Sequence, residues 1–124
     1  MSEVVTYSRE QSVGVITVNY PPVNALGHAV RSGIQSAIRQ GRDDADAKAL
    51  LIVCEGRTFI AGADIREFGK PLQEPALPDL INDIEATDKP VVAAIHGTAL
   101  GGGLEVALGC HYRVAVPSAK VGLP

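Results

Sequence analysis

The sequence predicts an α/β fold with largely parallel strand pairing. Three observations carry that expectation. Short β-like runs alternate with stretches of helical periodicity. Two runs, Ala49 to Cys54 and Val91 to Ile95, are continuously apolar, as in strands covered on both faces. Proline breakers then separate the segments, at Pro21-Pro22, at Pro71, Pro75 and Pro78, and at Pro90.

Taken in order, Val4 to Ser8 and Val13 to Asn19 read as strands. The second alternates and is rich in Val, Ile and Thr. Tyr20-Pro21-Pro22 ends it. Leu26, Ala29, Val30, Gly33, Ile34, Ala37 and Ile38 then fall on one helical face, with Gly41 as the expected stop. Ala49 to Cys54 is the next strand. Glu55 to Gly69 reads as a loop, and the three prolines make residues 70–78 an irregular connection. Leu77, Leu80, Ile81 and Ile84 mark a second amphipathic helix, ended by Pro90. Val91 to Ile95 is a strand, Gly101 to Leu108 a short helix closed by Gly109, and His111 to Val116 another strand. Lys120 to Leu123 begins a last one. The expected order is β-β-α-β-loop-α-β-α-β-β, with no repeat of fixed period.

A chain of 124 residues is at most one domain. With 46% hydrophobic and 20% charged residues it is globular in composition. Its formal charge of −3 and scattered Lys and Arg argue against nucleic acid as a partner. Cys54 and Cys110 sit in apolar settings without metal-ligand spacing. Buried free thiols, a reducing compartment and no metal site are expected. No apolar run approaches transmembrane length and no signal peptide is visible, so a cytoplasmic protein is the expectation. His28, His96 and His111 read as structural.

The chemistry concentrates in Gly97-Thr98-Ala99-Leu100-Gly101-Gly102-Gly103-Leu104-Glu105, between a strand and a helix. The first four N–H groups of a helix lack intrahelical partners, and the helix dipole adds positive charge there. Glu105 lies one turn after Gly102, and helical side chains lean towards the N-terminus. Its carboxylate therefore comes back over the Gly102 amide. That suits an acyl carbonyl held on an N–H with a proton carrier beside it. A tight turn and a first-turn acid serving the dipole explain the same residues without chemistry. A dinucleotide turn fails, because Val106 occupies the third glycine position and no acid follows Glu105. A P-loop fails for want of Lys-Ser/Thr after the glycines. Ala61-Gly62-Ala63-Asp64-Ile65 is a second small-residue loop, supplying a donor from another direction. Asp64 reads as the N-cap of a short turn into Arg66-Glu67-Phe68.

Together these loops resemble the crotonase, or enoyl-CoA hydratase/isomerase, superfamily. The resemblance rests on Pro22-Val23-Asn24-Ala25-Leu26, Phe59 to Ile65, Lys89 to Ile95 and Gly97 to Glu105, in order along essentially the whole chain. The tail, Ala107 to Ala115 with Val121-Gly122-Leu123-Pro124, looks most like the hydratase part of bifunctional fatty-acid oxidation enzymes. The resemblance implies a spiral of β-β-α turns, incomplete at the C-terminus, that binds an acyl-CoA thioester. It implies an oxyanion hole from the N–H groups of Ala63 and Gly102. Glu105 matches one of two catalytic glutamates for syn addition of water to a 2-enoyl-CoA. Val23, Ala25, Ala61, Gly62, Asp64, Ile65, Leu100 and Gly101 match positions lining the acyl-CoA groove. Arg57, Arg66 and Lys70 lie within reach of the CoA phosphates, with solvated surface charge as their ordinary role.

The family's second glutamate follows a Gly-x-Pro pattern, and this sequence ends at Pro124. Residues 1–124 are thus expected to be the N-terminal portion of such a domain, without appreciable hydratase activity alone. No cofactor is implied, since coenzyme A belongs to the substrate; NAD enters only if a dehydrogenase part follows. A homo-oligomer or that following domain is the expected protein partner, and a eukaryotic relative would be peroxisomal. Two other readings stay open. One is a non-catalytic binding module. The other is isomerase, thioesterase or decarboxylase chemistry on the same scaffold.

Overall fold

The computed structural model describes residues 3–124. Strands β1 (Val5–Glu10) and β2 (Val13–Val18) form an antiparallel hairpin. Helix α1 (His28–Asp43) crosses over to β3 (Ala49–Cys54), which runs parallel to β2 with Val13 opposite Ala49 and Val18 opposite Cys54. A 3-10 turn at Ile65–Glu67 and helix α2 (Leu77–Glu85) lead to β4 (Val91–Ile95). Next come β5 (Thr98–Leu100), α3 (Gly102–Gly109), β6 (Tyr112–Ala115) and β7 (Lys120–Gly122). The main sheet has the order β1-β2-β3-β4-β6, parallel except for β1, and β5 pairs with β7 in a second, parallel sheet.

The α/β expectation holds, with one strand more than the sequence announced. Strand β5 lies inside the glycine run, where three residues between glycines give too short a pattern to read. Its pairing partner is 22 residues away, Thr98 facing Lys120.

The core forms on one face of the main sheet. Ile16, Val18, Leu50, Ile52, Val91 and Ala93 are buried there with Val30, Ile34 and Ile38 of α1 and Leu80 and Ile84 of α2. The expectation that β3 and β4 are covered on both faces is corrected: their residues alternate between buried and half-buried. Val53, Ala94, Ile95, Val114 and Val116 line an open apolar hollow of about 340 Å³. Strand β6 is exposed along its length, Tyr112 and Val114 included.

Helix α1 departs from the expected face by one position. Ala29 is exposed, and Arg31 takes a place on the buried face with Val30, Ile34, Ala37 and Ile38. Gly41 does not end the helix, which runs on to Asp43. It is a close-approach position, where an added Cβ would press on Leu50 and Tyr7.

Candidate active site

The site forms where three chain segments lie side by side, with residues 58–63 in the middle. On one side the Leu26 N–H donates to the Gly62 carbonyl (2.8 Å), Leu26 bridges Ala63, and the Ala61 N–H donates to Val23 (3.2 Å). On the other side the Phe59 N–H donates to His96 (2.8 Å) and the Leu100 N–H to Ile60 (3.3 Å). The Thr58 hydroxyl accepts from the Thr98 N–H and donates to the Thr98 carbonyl, both at 2.7 Å. The two expected donor loops are therefore laced to one another by backbone.

The three consecutive glycines serve three different ends. Gly101 has φ +53, a left-handed conformation that turns β5 into α3. Gly103 packs so closely that a Cβ would overlap the Ile60 carbonyl. Gly102 borders an open space, and a Cβ added there would crowd Leu26 Cδ2 at 3.0 Å and Leu77 Cδ2 at 3.2 Å.

That space is a cavity of about 240 Å³. Ala63, Gly102 and Glu105 all line it, with Leu26, Leu72, Leu77 and Arg31. Neither the Ala63 nor the Gly102 N–H has a backbone partner among the described residues. Gly102 is the first residue of α3, so its N–H carries the dipole's positive end. Glu105 sits in the first turn and is exposed. Two free donors, a carboxylate and apolar walls can hold a developing oxyanion and carry a proton beside it.

Of the other expected site residues, Val23 and Ile65 are exposed and Ala25, Ala61 and Gly62 half-buried, all on the strip where residues 23–26 meet 61–65. Leu100 ends β5 and Gly101 follows it as the turn into α3, its N–H donating to the Gly122 carbonyl (2.9 Å). Asp64 is buried and caps the turn at Ile65–Glu67: its Oδ1 accepts from the Arg66 N–H (3.1 Å), and both its oxygens accept from the Arg66 guanidinium (2.9 and 2.8 Å). The Arg66 hydrogen bonds hold the Asp64 carboxyl below the ordinary aspartate range. Arg66 also donates to the Tyr20 hydroxyl (2.6 Å) and stands 5.4 Å from its ring. Lys70 lines a neighbouring cavity of about 180 Å³ with Asp64, Glu67 and Phe68.

Three residues of this region escaped the sequence reading. Asn24 is buried at φ +53, accepts from the Tyr20 N–H (2.7 Å) and donates to the Glu55 and Thr58 carbonyls (3.0 and 2.9 Å). Glu67 accepts from the His28 N–H (2.8 Å) at the start of α1 and pairs with Arg31 (3.4 Å). Gly27 offers no side-chain cap there, so Glu67 supplies it from a distant loop. A basic residue one place from an apolar stripe was the only signal for Arg31. His111 is structural, its Nδ1 accepting from the Val91 N–H (3.0 Å). Burial pushes the Cys54 and Cys110 thiols up to about 12, as expected of inert core cysteines. Among the described residues no group of three or more His, Cys, Asp or Glu is placed to hold a metal ion, and no helix is long and apolar enough to cross a membrane.

Comparisons with known proteins agree with this fold. The family described as enoyl-CoA hydratase/isomerase matches residues 8–124. The chain is 51% identical to a peroxisomal bifunctional enzyme of Danio rerio, over 93% of this chain and 16% of that protein. It is 44% identical to a probable enoyl-CoA hydratase of Bacillus subtilis, over 93% of this chain and 47% of that protein. A crystal structure titled enoyl-CoA hydratase/carnithine racemase, from Magnetospirillum magneticum, superposes with a TM-score of 0.89 at 30% identity, over 100% of this chain and 50% of the other. The chain thus spans about half the length of that structure, and less of the bifunctional enzyme. With the motif set, the fold and these matches in agreement, the chain belongs to the enoyl-CoA hydratase/isomerase family, of the crotonase type.

Proposed function

We propose that this chain carries the thioester-binding part, and one of two proton-carrying acids, of an enoyl-CoA hydratase of fatty-acid β-oxidation. The observation that supports it is the shared cavity. Ala63 and Gly102, whose N–H groups have no backbone partner among the described residues, line the same cavity as Glu105.

In this reading the thioester carbonyl oxygen lies against both N–H groups. Water adds through oxygen to C3, and the C2=C3 electron pair moves towards the carbonyl, making an enolate on that oxygen. Glu105 takes the proton that the water loses. A second acid then supplies the proton at C2. Among the described residues Glu105 is the only carboxylate lining this cavity, so the chain holds half of the proton chemistry. The strip of Val23, Ala25, Ala61, Gly62, Asp64 and Ile65, with Leu100 and Gly101, would lie along the CoA portion. Coenzyme A arrives as part of the substrate, and NAD belongs only to a dehydrogenase domain following in the same polypeptide. That domain, or a second copy, is the protein partner. The compartment is the bacterial cytoplasm, or the peroxisome in a eukaryote.

Purified residues 1–124 should bind crotonyl-CoA and leave it unhydrated. Turnover comparable to that of a longer chain would contradict the half-site, and no binding would contradict the thioester site. In a longer, active chain, Glu105→Gln should lower kcat by roughly 10³-fold. Unchanged turnover there would remove Glu105 from the chemistry.

A further inference from the structure

We infer that Arg31 is a positioning residue for the Ala63 donor, a role that rests on the reading of Ala63 given above. Arg31 is buried on α1, and its guanidinium reaches four acceptors. Nε donates to the Pro75 carbonyl (2.8 Å) and Nη2 to the Gln73 carbonyl (3.0 Å). Nη1 donates to the Leu26 carbonyl (3.1 Å) and pairs with Glu67 Oε1 (3.4 Å).

Two of these acceptors flank Ala63. Leu26 is its backbone bridge partner, and Glu67 closes the short turn that begins just after it. One side chain therefore grips the donor segment from both sides. Glu67 cannot drift away easily, because its other oxygen accepts from the His28 N–H (2.8 Å). The remaining two acceptors fix residues 73–75, between Leu72 and Leu77 of the cavity wall.

The chemistry selects Arg over Lys. A planar fork with five donors can meet four acceptors in different directions, whereas an ammonium group on a flexible stem meets fewer and fixes no plane. Arg31 is also separable from the folding of α1. That helix is anchored through Val30, Ile34 and Ile38, which are fully buried against the sheet. Losing the fork should loosen the donor segment more than the helix. A positioning role thus differs from plain satisfaction of loop carbonyls, because only positioning controls how firmly the N–H meets the thioester oxygen.

The test uses 2,4-hexadienoyl-CoA, a conjugated thioester whose absorption moves to longer wavelength as its carbonyl is polarised. Bound to residues 1–124 it should show a red shift. With Arg31→Lys the shift should fall to less than about half, while Kd weakens by no more than about threefold. Glu67→Gln should reduce the shift less, because one oxygen acceptor remains; it decides the matter if Arg31→Lys does not fold. Gln35→Ala removes another bond from the same helix, to Asp83 (2.9 Å), and should keep the full shift. An undiminished shift in Arg31→Lys, or an equal loss in Gln35→Ala, would overturn the positioning role. If the wild-type chain binds the probe without a shift, or not at all, the thioester reading itself fails and the role of Arg31 falls with it.

Discussion

The two candidate donors are held by opposite means. Backbone lacing is common to both, but the Ala63 segment is held in addition by side chains: Asn24, Arg31 and Glu67 reach across the sequence, and Arg66 ties Asp64 to Tyr20. The Gly102 segment depends in addition on the absence of side chains. Gly97 lies at φ +64 with its Cβ position against the backbone of Arg57 and Thr58, and Gly103 lies against Ile60. A polar network can lose one member and relax. Bare backbone packed on backbone has nowhere to move. The two halves of the proposed oxyanion site should therefore fail differently.

The largest expected effect is in the glycine segment. Gly103→Ala puts a methyl onto the Ile60 carbonyl and should cost about 3 kcal/mol, read as a lower urea midpoint, with thioester binding lost. A midpoint close to wild type would mean that this segment gives as easily as the polar one. Asn24→Ala comes next. It strands the Glu55 and Thr58 carbonyls and should cost about 2 kcal/mol, while binding persists in the fraction that stays folded. Complete loss of binding would erase the contrast. The smallest effect is acid sensitivity. The Asp64 carboxyl is held below its ordinary value, chiefly by the Arg66 hydrogen bond, so its contribution is present above the unfolded pKa and lost as pH falls through the folded one. Stability should thus decline below about pH 4, and Asp64→Asn should flatten that decline. An identical slope in the variant would show that the network carries no titrating load. Asp44, held low chiefly by the Tyr7 hydroxyl, acts in the same direction.

The same contrast explains what was legible in the sequence. The glycine segment is written locally: Gly101, Gly102 and Gly103 are adjacent, Glu105 is one turn on, and helix geometry does the rest. The polar segment is written at long range. Arg31 meets Glu67 across 36 residues and Asn24 meets Thr58 across 34, and no periodicity links such pairs. Nothing local therefore marks Glu67 as a cap for α1, and the apolar face of α1 read one position away from Arg31. Strands β2, β3 and β4 were plain from β-branched runs between breakers. Strand β5 was not, because its partner β7 lies on the far side of α3. The half-covered outer sheet face was hidden for another reason: an apolar run shows that a strand can be buried twice, not that both covers are present.

The central claim is that the Ala63 and Gly102 N–H groups converge on one acyl oxygen. Amide proton shifts in an NMR titration of residues 1–124 with crotonyl-CoA test it most directly, with coenzyme A alone as the reference. The two amide protons should move downfield together with the thioester, at one shared Kd, and stay near their free positions with coenzyme A. Movement of only one of them, or equal movement with coenzyme A alone, would contradict the shared oxyanion site.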